Sequence, residues 1–178
     1  MAHRRAGKTV ACINDLIKRA ITDGKENGRY AYIAPFYSQA KTIAWDYLLR
    51  FSEPIRTSAN ASELWVELIN GARIRLFGGD NPDALRGLYL DGVILDEYAD
   101  MRPRVWGEII RPLLADRQGW AVFIGTPKGR NAFFDMYDGS NNAIVVRCPN
   151  SDVSVSRRVS CGKNCWRTEN TMVVEDGN

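Results

Sequence analysis

Three short stretches of this chain are apolar without interruption: Tyr30-Ala31-Tyr32-Ile33-Ala34, Gly92-Val93-Ile94-Leu95 and Trp120-Ala121-Val122-Phe123-Ile124. None has a polar face, so each predicts a strand buried on both sides, the mark of a parallel sheet sandwiched between helices. The segments around them carry the complementary period. Val10, Ile13, Leu16, Ile17, Ala20 and Ile21 recur at helical spacing from Lys8 until the chain reaches Asp23-Gly24. Ala40, Ile43, Ala44, Tyr47, Leu48 and Phe51 repeat the pattern over 38–51, and 104–114 reads as a third helix with Pro103 near its start. Between the second helix and the second apolar run, 63–68 and 72–77 flank Ile69-Asn70-Gly71, where Asn-Gly suits a tight turn at positive φ. An antiparallel ribbon inserted at the sheet edge is expected there, followed by a polar loop over 78–83. This order of elements is that of a three-layer α/β fold, in which ligands gather at the carboxyl ends of the strands.

A chain of 178 residues with 45% hydrophobic and 25% charged residues has room for one domain with a real core. Its net charge of +3 permits a polyanionic partner but is too small for a dedicated nucleic-acid-binding tail. No window approaches the roughly 18 consecutive apolar residues of a membrane span, and the start runs straight into a glycine-containing motif instead of a signal-peptide core. A cytoplasmic protein with no membrane partner is the expectation. Cys12 falls in a helix while Cys148, Cys161 and Cys165 crowd toward the end, which is no disulfide framework. Cys161 and Cys165 with Cys148 have the wrong spacing for a zinc site, and no histidine accompanies them.

Chemistry enters at Ala2-His3-Arg4-Arg5-Ala6-Gly7-Lys8-Thr9, which matches G-x-x-x-x-G-K-[ST] except that Ala2 replaces the first glycine. In such a loop, backbone N–H groups and the start of the following helix make a concave positive site for phosphates. Lys8 reaches the β- and γ-phosphates, and the Thr9 hydroxyl is placed to ligate Mg²⁺. A chance Gly-Lys-Thr at a helix start would look the same. The second signal lies far downstream, where the strand Gly92-Val93-Ile94-Leu95 ends in two adjacent carboxylates, Asp96 and Glu97. Nucleotide hydrolysis of this type needs one acid for the Mg²⁺ shell and a neighbour to orient the attacking water. Asp96 and Glu97 fit those roles, although an isolated Asp-Glu more often marks a strand turning into solvent.

With both signals in order, the chain resembles the large terminase subunits of tailed phages and prophages. The resemblance rests on Arg4 ahead of Gly7-Lys8-Thr9, on Leu95-Asp96-Glu97-Tyr98-Ala99, on Ala84-Leu85-Arg86-Gly87, and on Phe123-Ile124-Gly125-Thr126-Pro127-Lys128-Gly129. It spans roughly residues 2 to 138. It implies a P-loop NTPase fold of the ASCE type with a mostly parallel sheet, and an ATPase that drives double-stranded DNA into a capsid with ATP and Mg²⁺. By the resemblance, Arg4, Arg5, Ala6, Gly7, Lys8, Thr9 and Thr126 contact nucleotide, Thr9 and Asp96 hold the metal, and Glu97 with Arg4 and Arg86 is catalytic. Arg4 would stabilise the γ-phosphate, where a planar guanidinium bonds phosphate oxygens two at a time. Arg86 would reach into a neighbouring subunit of a homo-oligomeric ring; a helix-capping or surface arginine is the equal alternative. Thr126 would relay nucleotide state to DNA movement. A portal protein and a small terminase subunit are the implied partners.

Family members begin earlier, with the strand that leads into the phosphate loop, so the sheet is expected to lack its first strand. They also continue into a nuclease domain with clustered aspartates, of which nothing after Asp138 gives a sign. The expected division is an ATPase domain over 1–140 and an atypical tail over 141–178, either frameshifted or poorly ordered. Only Val153-Ser154-Val155 and Met172-Val173-Val174 have strand character between Asn150 and Asn178. Two further readings stay open: another P-loop DNA translocase or helicase-like ATPase, and an inactive prophage remnant that binds nucleotide at most.

Overall fold

The structure, a computed structural model, describes residues 8–22, 25–125 and 172–176. It is a seven-stranded sheet with helices on both faces. The strands are β1 (Arg29–Ala34), β2 (Arg56–Asn60), β3 (Trp65–Leu68), β4 (Arg73–Gly78), β5 (Gly92–Leu95), β6 (Trp120–Gly125) and β7 (Met172–Asp176), in the spatial order β2-β3-β4-β1-β5-β6-β7. The pairs β4/β1, β1/β5 and β5/β6 are parallel, while β2/β3, β3/β4 and β6/β7 are antiparallel. β1, β2, β4, β5 and β6 therefore point one way and β3 and β7 the other, the mostly parallel sheet that the apolar runs imply.

Alternation along the strands feeds two separate cores. Tyr30, Tyr32, Ile74, Leu76, Ile94, Val122 and Ile124 face the side covered by α1 (Lys8–Thr22) and by the helix over 37–52. Ala31, Ile33, Phe77, Val93, Leu95, Ala121 and Phe123 face the side covered by the helix over 105–115. α1 lays down Cys12, Ile13, Leu16, Ile17 and Ala20 as one buried stripe, the period-3.6 face that its sequence predicts.

Both other helices depart from α geometry at identifiable residues. The 37–52 helix is α over Tyr37–Gln39 and Trp45–Ser52 but π over Ala40–Ala44. There the Thr42 hydroxyl donates to the Ser38 carbonyl at 2.8 Å and competes for the acceptor that its own backbone N–H would use in an α-helix. The last helix is π over Val105–Ile110 and α over Arg111–Ala115. Pro112 has no N–H to offer the Glu108 carbonyl, and the turn before it widens.

The ribbon forms as expected, turning on Asn70 and Gly71 with Gly71 at φ 75°. It is more than an appendage, because β4 pairs in parallel with β1 and β2 adds a further strand that the polar segment Arg56-Thr57-Ser58-Ala59-Asn60 did not announce. The run at Met172 forms β7, antiparallel to β6. The expected lack of a strand leading into the phosphate loop concerns residues outside those described.

At the amino edge of the sheet, the fully buried Asp91 carboxylate ties three segments together. It accepts from the Arg29 backbone N–H at 2.8 Å and from Arg117 Nε at 2.7 Å, and it lies 3.2 Å from Lys25 Nζ. The other buried acid among the described residues, Asp96, stands at the opposite, carboxyl edge.

Candidate functional site

β1 and β5 run side by side with Ile33 level with Leu95, and the Asp96 N–H donates to the Ile33 carbonyl at 2.8 Å. The ladder thus extends one residue past β5 and holds Asp96 in strand register at the tip. Because side chains alternate, Asp96 faces the same side as Ile94, toward α1. The next residue would face away. Instead Glu97 adopts a left-handed conformation, φ 47° and ψ 46°, before the short 3₁₀ turn Tyr98–Asp100. Left-handed backbone is uncommon outside glycine, and here it turns the second carboxylate back toward the α1 terminus.

α1 begins at Lys8, so Lys8 and Thr9 occupy its first turn, at the positive end of the helix dipole. Lys8 Nζ lies 3.4 Å from Glu97 Oε1, and the Thr9 hydroxyl donates to Asp96 Oδ2 at 3.3 Å. Tyr32 on β1 donates its hydroxyl to the same Asp96 oxygen, while Oδ1 accepts the Glu97 N–H at 2.9 Å. An ammonium, a hydroxyl, two carboxylates and a phenol from α1, β1 and the tip of β5 are gathered at one point.

Burial pushes the Asp96 carboxyl above the ordinary carboxylate range, and the neighbouring Glu97 charge adds to the effect against the Tyr32 hydrogen bond, the Glu97 N–H and Lys8. Burial and the Asp96 charge also push the Tyr32 phenol well above its usual value. The Cys12 thiol, one turn beyond Lys8, is raised by burial first and by Asp96 next, so it stays protonated and unreactive. A buried carboxylate whose charge is disfavoured is a site that gains from a cation. Thr9 and Asp96 offer hard oxygen ligands on one side only, which suits Mg²⁺, an ion that usually keeps several waters and binds substrate phosphates. Among the described residues no group of three or more His, Cys, Asp or Glu could hold a metal by itself.

Of the residues singled out in the sequence, Lys8, Thr9, Asp96 and Glu97 come together. Arg86 does not join them. It follows the 3₁₀ turn Pro82–Leu85, its side chain is 70% exposed, and its ion pair is with Asp83 at 3.1 Å. Arg4, Arg5, Ala6, Gly7 and Thr126 lie outside the described residues. Lys128, Cys148, Cys161 and Cys165 lie outside them too. Tyr32 is a member of the cluster that the sequence reading took only as part of a buried strand. The available signal was the pair of hydroxyls, Tyr30 and Tyr32, inside an apolar run, because a buried tyrosine needs an acceptor.

Residues 1–152 match the family model described as terminase large subunit, T4-like-virus type, N-terminal. A second model, of a domain of unknown function, matches residues 132–176. The large terminase subunit of Thermus virus P23-45 is 47% identical over 76 residues, 42% of this chain and 16% of its own length. That of Escherichia phage T5 is 31% identical over 161 residues, 80% of this chain and 36% of its own length. The chain therefore spans about a third or less of these relatives. Among solved structures, the large terminase ATPase domain of Thermus phage P74-26 superposes with a TM-score of 0.65 at 30% identity, covering 84% of this chain and 67% of that one. A large terminase from another bacteriophage, a thermophilic one, shares the fold at 20% identity, with a TM-score of 0.63 over 75% of this chain and 34% of its own.

Proposed function

This chain belongs to the family of terminase large subunits, and from that membership we propose that it is the ATP-hydrolysing motor part of such a subunit, driving viral double-stranded DNA into a preformed capsid. The observation that carries the reading is the double contact at the carboxyl edge, Thr9 with Asp96 and Lys8 with Glu97.

In this reading the first turn of α1 receives the phosphates through its N–H groups, and Lys8 turns one of its three donors to them while keeping Glu97 in reach. Arg4 supplies a second cation to the γ-phosphate. Thr9 and Asp96 hold Mg²⁺, which when bound neutralises charge building on the β- and γ-phosphate oxygens. Glu97, partly exposed beside Lys8, orients a water and accepts its proton. Its left-handed turn brings it to Lys8 while Asp96 takes Thr9 and Tyr32, so the two carboxylates serve different tasks although adjacent in sequence.

The rest of the assignment is carried by family membership. Arg86 is exposed on a loop with one surface ion pair, which suits a finger offered to the next subunit of a homo-oligomeric ring. Thr126 follows β6 and serves as the relay to DNA movement. A portal protein and a small terminase subunit are the partners, and the host cytoplasm is the place. No helix among the described residues is long and apolar enough to cross a membrane.

Nucleotide binding and hydrolysis by the purified chain test the proposal. Lys8→Ala is expected to lose nucleotide affinity. Glu97→Ala is expected to keep it while turnover falls about 10²–10⁴-fold, the usual contribution of a positioned base. If the unaltered chain neither binds nor hydrolyses ATP, the motor assignment fails for it and the inactive-remnant reading stands.

A further inference from the structure

Tyr32 is buried on β1, on the face that meets α1, and level with Ile94 of β5. Its hydroxyl donates to Asp96 Oδ2, the oxygen that Thr9 also approaches, while the Glu97 N–H occupies Oδ1. A carboxylate has about four lone-pair positions. Three are engaged here, by donors from α1, from β1 and from the strand tip itself.

These donors differ in what holds them. Thr9 sits in the first turn of a helix whose preceding loop receives phosphates in the reading above, and the Glu97 N–H belongs to a turn outside the sheet. Tyr32 is anchored in the middle of the sheet, with hydrogen-bonded strands on both sides of β1. The Thr9 hydroxyl can give a lone pair to a cation while its proton stays on Oδ2, and the phenol pins the same oxygen from the sheet. Its ring is packed in the same core as Leu76, Ile94 and Ile124 and has no room to follow a ligand.

We infer that Tyr32 is a positioning residue for the divalent cation: it fixes the Asp96 carboxylate against the sheet so that the remaining lone pair faces the metal site. The inference rests on the Mg·nucleotide reading of this site. Tyr32 touches no substrate and acts through Asp96, with Thr9 as a further hydrogen-bond neighbour. Removal of such an outer partner typically weakens metal affinity or activity by about 10–100-fold.

The test is Mn²⁺ binding by the full chain with ADP, followed by electron paramagnetic resonance, for the unaltered protein, Tyr32→Phe, Tyr30→Phe and Asp96→Asn. Tyr30 lies on the same strand and face and is equally buried, but its ring packs against Trp120. Tyr32→Phe keeps the ring and is expected to raise the Mn²⁺ dissociation constant about 10–100-fold, with Asp96→Asn weaker still and Tyr30→Phe unchanged. In turnover assays Tyr32→Phe should need more Mg²⁺ for half-maximal rate and recover most of its kcat at saturating metal. Unfolding midpoints are read on every variant. Equal Mn²⁺ affinity in Tyr32→Phe and the unaltered chain overturns the inference and leaves the site reading standing. So does an equal loss in Tyr30→Phe, or a lowered midpoint with affinity unmoved. If the unaltered chain with ADP binds no Mn²⁺, the site reading itself falls and Tyr32's role falls with it.

Discussion

At Asp96 the fold works against the charge that the proposed metal role requires. Burial raises this carboxyl above its ordinary value of 3.8, so the folded state holds the proton more tightly than the unfolded chain does. The sign follows from linkage: stability falls as pH rises from 3.8 through the raised value, and the cost is complete above it. Asp96→Asn is therefore expected to raise the urea midpoint of the metal-free chain at pH 7 and to remove this pH dependence, while abolishing Mg²⁺-dependent turnover. Unfolding in the presence of a chelator checks it, and a midpoint at or below that of the unaltered chain would refute the argument. Lys8, Thr9, Asp96 and Glu97 were legible in the sequence because the chemistry of each pair is written in adjacent residues. Tyr32 and Asp91 were not, since their partners lie across strands and loops, and no local pattern states which strands will be neighbours.

Among the elements, β5 shows why a glycine was needed where a third apolar side chain would have seemed natural. Tyr30, Gly92 and Trp120 stand in one register row across β1, β5 and β6, and the indole lies over the glycine. A Cβ at Gly92 would sit 2.3 Å from Trp120 Cε2. The ring has little freedom to yield, with Tyr30 at 6.2 Å between centroids on one side and the Arg19 guanidinium 4.6 Å over its face. Gly92→Ala is expected to destabilise the chain by about 1–3 kcal/mol, the usual effect of overpacking. Urea unfolding measures it; an unchanged midpoint would mean that Trp120 swings aside at no cost. Element type was readable wherever the hydrophobic period was clean, as in α1 and in β1, β5 and β6. β2 escaped because a short polar strand offers neither alternation nor a run. The π segments escaped because one side-chain hydroxyl or one proline shifts the hydrogen-bond ladder without altering the apolar pattern.

For the molecule as a whole, the two ends of β5 carry acids of opposite thermodynamic sign. Burial by itself would raise the Asp91 carboxyl, but hydrogen bonds from Arg117, the Arg29 backbone and Lys25 together hold it below 3.8. Its contribution is fully present above the ordinary carboxylate range and is lost as pH falls through the depressed folded value. Asp91→Asn should lower the unfolding midpoint at pH 7 and flatten the acid limb of a stability-against-pH curve, and an acid limb identical to that of the unaltered chain would remove Asp91 from the account. The sheet has a second asymmetry, in how its outer strand meets the solvent. β2 leaves a 3₁₀ turn containing Pro54, changes register between Arg56 and Ser58, and exposes Thr57, Ser58 and Ala59. A short, kinked, hydrophilic border of this kind gives an approaching strand no straight row of donors and acceptors to copy. The β2 border is thereby guarded against edge-to-edge pairing with the sheet of another molecule.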